Sequence, residues 1–174
     1  MTRQRYNLVL SVHATARGLA YVLFEGEANP VDWGRAECRG PLKNHRCIDR
    51  FIGLIERHRP DVVILQDPDD LRRRRSDRAG QLARGFAAHA EGHGMPFVFR
   101  SRRDVLTAFA HLCPCTKQAI VQEIIGMMPV FAQHTPRIRK PWMSEDARMG
   151  LFDAVALAIS YFAEQNSFPE SRAA

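Results

Sequence analysis

Leu8-Val9-Leu10-Ser11-Val12 opens the pattern and sets the class of the fold. It carries no charge, and every residue but Ser11 is a Leu or a Val. So continuous an apolar run belongs in a strand covered on both faces. His13 follows at its tip. Residues 17–25 carry Leu19, Tyr21, Val22, Leu23 and Phe24 and read as a second strand, joined to the first by the short turn Ala14-Thr15-Ala16. The chain therefore opens with a hairpin whose first strand lies deep in a sheet.

Working outward, residues 31–38 form a third strand, closed by Gly40-Pro41. Asn44 is the expected N-cap of a helix running to about His58, with Ile48, Phe51, Ile52 and Ile55 on its buried face. Val62, Val63, Ile64 and Leu65 repeat the apolar signature within residues 61–66 and make that strand central too. Asp67-Pro68-Asp69-Asp70 leaves it as an acidic loop, and Arg72, Arg73, Arg74 and Arg75 follow in a row. Such a run reads as a solvated loop or as a phosphate-contacting one. A helix over residues 77–90 and a strand over 95–100 come next, with Arg100, Arg102 and Arg103 at the strand's exit. Residues 105–112 are weakly helical. A helix begins at Cys115 or Thr116 and ends at Pro129, and a basic loop over 134–141 carries Arg137, Arg139 and Lys140. The last helix is expected over 144–162. It is nearly all apolar around Asp153, an acid that is costly there unless partnered. Strands alternating with helices imply an α/β, five-stranded mixed sheet flanked by helices. One domain over residues 1–166 and a disordered tail over 167–174 are expected.

The chain has 174 residues, 45% of them hydrophobic and 25% charged, with net charge +6. No apolar run approaches the roughly 20 residues of a membrane span, and no signal-peptide pattern precedes the first strand, so a cytoplasmic protein without a membrane partner is expected. The positive balance suits a polyanion partner. Cys113-Pro114-Cys115 is too tight for a two-residue zinc knuckle, and reduced thiols are the expected state of all four cysteines.

In this order the segments resemble the RuvC family of Holliday-junction resolvases, which have the RNase H-like fold. The hairpin over 9–24, Gly80-Gln81-Leu82-Ala83-Arg84-Gly85, Met95-Pro96-Phe97-Val98-Phe99 with Thr116-Lys117-Gln118, and Asp153-Ala154-Val155-Ala156-Leu157-Ala158 carry the match over about residues 7–163. The resemblance implies a DNA partner (a four-way junction included), a homodimer, and catalysis by two divalent metals about 4 Å apart on carboxylates. Carried over, the four ligand positions hold His13, Gln66, Gly150 and Asp153, of which only Asp153 keeps a carboxylate. Lys117 matches one of the family's lysines, and Leu106 stands where the other is expected. A cation at a helix start gains nothing from the dipole, and a bound phosphate would offset that.

Asp146 would lie about 10 Å up the last helix from Asp153, with Glu145 no nearer. Asp67 follows Gln66 and points to the sheet's other face in a regular strand. Three functions are weighed. One is a nucleic-acid-binding protein without magnesium-dependent cleavage and without a cofactor, in which His13, Gln66, Asp153 and Lys117 are the remnant of a catalytic site and Arg72 to Arg75, Arg100, Arg102, Arg103 and Lys117 meet DNA. Another is an endonuclease that uses His13, Asp67 and Asp153 to hold manganese or magnesium. The third is a protein-binding scaffold. Gly150→Asp is expected to cost little, since a helix interior disfavours glycine.

Overall fold

The computed structural model describes residues 8–71 and 77–167. Five strands, β1 (Leu8–Ala14), β2 (Gly18–Glu25), β3 (Pro30–Glu37), β4 (Val62–Gln66) and β5 (Phe97–Arg100), form one sheet in the order β3-β2-β1-β4-β5. The first three pair antiparallel, while β1 pairs parallel with β4 and β4 with β5, so the sheet is mixed and β1 is its middle strand. Helices cover both faces: α1 (Lys43–His58) and α3 (Asp77–Gly92) lie on one side, and α4 (Arg102–Ala108), α5 (Lys117–Met127) and α6 (Met149–Ser167) on the other. The four-residue α2 (Pro68–Leu71) joins β4 towards α3.

The unbroken apolar runs are explained by this double covering. Along β1, Leu10, Val12 and Ala14 pack into the core under α1 and α3, while Val9 packs under α6. Along β4, Val63 and Leu65 join the first core and Ile64 the second. Both cores are anchored by aromatic rings: Phe51 stacks on Phe86 in one, and Phe24, Phe131 and Phe152 are wholly buried in the other. Fully burying one such side chain contributes about 1.5–3 kcal/mol. In α6 the residues from Leu151 to Ala158 are buried except Asp153. Its alanines let the backbone approach the sheet closely enough for buried Ser11 Oγ to donate to Ala154 O at 2.6 Å.

Several boundaries differ from the sequence expectation, each for a local reason. β1 runs on through His13 to Ala14, because His13 pairs with Ala20 and Ala14 with Leu19 in the hairpin. Asn44 does not cap α1. It lies inside the helix, and its Oδ1 accepts from Arg78 Nε at 2.8 Å. The acidic stretch after β4 is not an open loop: Asp67 Oδ1 accepts from Asp69 N at 2.9 Å and starts α2. α6 begins at Met149, five residues later than expected from Ser144, because the side chain of Asp146 takes the backbone N–H groups of Arg137 and Arg148 and holds a turn there. The Arg148 guanidinium, helped by those two N–H groups, holds the Asp146 carboxyl well below the usual carboxylate range. The four cysteines are free thiols, and burial, with Cys38 beside it, pushes the Cys47 thiol up to about 12. The arginines at 72–75 and the tail beyond residue 167 lie outside the described residues.

Candidate nucleic-acid interface

Alternation along the strands places Ser11 and His13 of β1 on the α6 face, together with Ile64 and Gln66 of β4. Val12 is in register with Leu65, so His13 and Gln66 are neighbours one step further along the two parallel strands. Asp153, one turn into α6, faces them. Its Oδ2 lies 3.5 Å from His13 Nε2 and 3.4 Å from Lys117 Nζ. The partners that an acid in an apolar helix requires are therefore the ammonium and the imidazole. Gln66 Oε1 is buried and has no hydrogen-bond partner among the described residues. Two hollows meet at this point. One, of about 360 Å³, is lined by His13, Gln66, Asp70, Arg103, Lys117 and Asp153. The other, of about 580 Å³, runs past Gly150 and Glu145 towards Arg35 on β3.

Lys117 is the first residue of α5, whose N-cap Thr116 accepts from Ala119 N at 3.1 Å. Its ammonium also meets Glu145 Oε1 at 2.5 Å. The electrostatic cost of a cation at a helix N-terminus is offset here by two carboxylates of the protein itself. Glu145 is thus brought to the site, contrary to the sequence expectation, because it lies in the extended segment before α6 and not on the helix. The polarity change at Arg148-Met149, rather than at Ser144, is the sequence signal that marks this start.

Other expected residues are placed elsewhere. Arg100 is 6% exposed, and its guanidinium binds Glu164 and lies 5.8 Å from the Tyr161 ring centroid. It is a structural residue joining β5 to α6 and not a surface contact. Arg102 and Arg103 are exposed at the groove's rim. Asp67 is committed to α2, and Asp70, which sequence reasoning missed, lines the groove and accepts from Arg102 N at 2.5 Å. Leu106 lies beside Lys117 and Asp153, where the resemblance placed a second lysine.

Among the described residues no three of His, Cys, Asp and Glu are grouped to hold a metal ion, so His13, Asp67 and Asp153 do not assemble as a ligand set. The donors at the four transferred positions do not fit a pair of magnesium ions either. Asp153 already faces an ammonium, Gln66 is neutral, His13 offers a nitrogen to a metal that demands oxygen, and Gly150 has no side chain. Gly150 borders the larger hollow, yet the first carbon of a side chain there would be tight. It is the second residue of α6, and a Cβ there would lie 3.1 Å from Thr15 Cγ2 and 3.4 Å from Ala20 Cβ. Gly150→Asp is therefore expected to destabilise the protein by about 1–3 kcal/mol through overpacking, read as a lower urea midpoint at unchanged slope.

No protein-family model and no curated protein sequence matches the chain. Solved structures do. Thermus thermophilus RuvC in complex with a Holliday junction substrate superposes with a TM-score of 0.64 at 16% identity, covering 94% of this chain and 97% of that one. The yeast mitochondrial Holliday junction resolvase gives 0.61 at 14% identity, covering 92% and 80%. The fowlpox virus Holliday junction resolvase gives 0.54 at 12% identity, covering 91% and 99%. Likeness at such low identity speaks to the backbone alone, and on that ground the chain has the RuvC-type, RNase H-like fold of the Holliday-junction resolvases.

Proposed function

We propose that the protein binds DNA, branched or duplex, across the groove where β1, β4 and α6 converge, and that it does not cut DNA with magnesium. The observation that carries this reading is Lys117: its ammonium lies between Glu145 and Asp153, at the carboxylate where metal chemistry would have to begin. Two magnesium ions would bring four further positive charges to one exposed and one half-buried acid. Without metals, the metal-activated water and the metal-stabilised leaving oxygen of two-metal cleavage have no counterpart here. His13 instead hydrogen-bonds or ion-pairs within the groove, Gln66 offers a neutral amide, and Arg102 and Arg103 supply phosphate contacts at its rim. The solved neighbours support the DNA partner, one of them being held on a Holliday junction substrate. The two-fold dimer that the resemblance implies is part of the same reading.

The test is a titration of labelled four-way junction and of duplex in EDTA at low salt. Dissociation constants of about 10⁻⁶ M or tighter are expected, the tight end of the nonspecific range or beyond it. Absence of binding to both would favour a scaffold that meets only proteins.

A further inference from the structure

The segment from Thr135 to Arg148 holds a second feature that the groove does not use. Arg137, Ile138, Arg139, Lys140, Pro141 and Trp142 put three cations and two large apolar side chains into six residues, with no acid before Glu145. The segment is tied down at several points. Arg137 N donates to Asp146 Oδ2 at 3.0 Å, Arg139 Nε donates to Met143 O at 2.7 Å, and Met143 N donates to Lys140 O at 3.0 Å. The last bond closes a turn with Pro141 and Trp142 at its centre, proline standing where turns favour it. Trp142 is presented on this turn 77% exposed, and Ile138 is 78% exposed. Lys140 Nζ lies 5.5 Å from the Trp142 ring centroid.

We propose that Trp142 is a stacking platform for an unpaired base of a bound DNA strand, with Lys140, Arg137 and Arg139 holding that strand's phosphates. The proposal rests on the DNA-binding reading above. An exposed aromatic ring flanked by cations is the arrangement by which proteins hold single strands, because every unpaired base offers a flat face and every phosphate a charge. Bases inside a duplex are already stacked, so the platform selects unpaired ones, such as those at a branch point or a frayed end. Position supports the same strand reaching the groove. Glu145, which binds Lys117, is three residues from Trp142, a span of at most about 11 Å. That is about three base steps at roughly 3.4 Å each along one strand. The cations argue against a purely apolar protein partner for this loop.

The experiment compares the wild-type chain with Trp142→Ala and Trp142→Phe, using fluorescence anisotropy of a labelled 16-nucleotide oligo-dT, a duplex of the same length and a four-way junction. Trp142→Ala is expected to weaken oligo-dT binding about 5- to 150-fold, the loss equivalent to one stacked base. Trp142→Phe is expected to restore most of it, and duplex binding is expected to change less than twofold. A thermal melt confirms that the exposed site leaves the fold intact. Unchanged oligo-dT affinity in Trp142→Ala, or an equal loss on oligo-dT and duplex, would overturn the platform while leaving DNA binding in place. So would a variant that binds oligo-dT normally but changes from dimer to monomer in sedimentation, which would assign Trp142 to a second copy of the chain. Failure of the wild type to bind any of the three DNAs would overturn the DNA-binding reading itself.

Discussion

Raising the salt concentration from 50 to 200 mM is expected to lower the affinity for duplex or junction DNA by about 10³- to 10⁵-fold, the loss found when six to ten phosphates are neutralised. The cations needed are present without the groove's own lysine. Arg102 and Arg103 stand at its rim, Arg137, Arg139 and Lys140 lie on the loop before α6, and Arg72, Arg73, Arg74 and Arg75 lie in the run outside the described residues. Lys117 contributes less, because Glu145 and Asp153 already balance it, and Arg100 contributes nothing because Glu164 holds it inside. Anisotropy at several salt concentrations gives the slope directly. Replacing both Arg102 and Arg103 by alanine is expected to reduce that slope by about 2, roughly 1 for each phosphate contact removed. A wild-type slope near zero would mean that phosphates are not what this surface meets.

A large gain is expected from rebuilding the acids. His13→Asp with Gln66→Glu places two carboxylates side by side on β1 and β4, opposite Asp153. Three hard oxygen donors around one point are what manganese or magnesium requires, and affinity in such sites rises with the number of charged ligands. The double variant is expected to bind Mn²⁺ at least about tenfold more tightly than wild type by calorimetry. Adding Lys117→Gln, which removes the competing ammonium, should strengthen it further. Gly150 is best left unchanged, since its crowding by Thr15 and Ala20 would confuse loss of fold with loss of metal. If the double variant binds no more tightly, His13 and Gln66 do not occupy ligand positions.

The sheet was legible because burial on both faces leaves an unmistakable trace. Leu8 to Val12, Ser11 apart, and Val62 to Leu65 are apolar without alternation, and those two strands lie side by side between two helical layers. Strand alternation then puts His13 and Gln66 on one face, and helical spacing puts Asp153 opposite. What escaped the sequence depends on contacts between distant residues. Arg100 looks the same whether it faces solvent or, as here, a glutamate 64 residues away. Glu145 reaches Lys117 only because Asp146 holds a turn that delays α6. The crowding at Gly150 comes from Thr15 in the β1–β2 turn and Ala20 on β2, which no helix propensity records.

DNA binding without magnesium-dependent cleavage is tested by incubating the wild-type chain with a labelled four-way junction, in EDTA and in about 10 mM magnesium matched for ionic strength, and running each reaction on native and denaturing gels. The same shifted complex is expected in both and intact strands throughout, with cleavage no faster than the uncatalysed rate, six or more orders of magnitude below a working enzyme. Magnesium-dependent nicks near the branch point, abolished by Asp153→Asn, would contradict this expectation and would make the groove a functioning metal site.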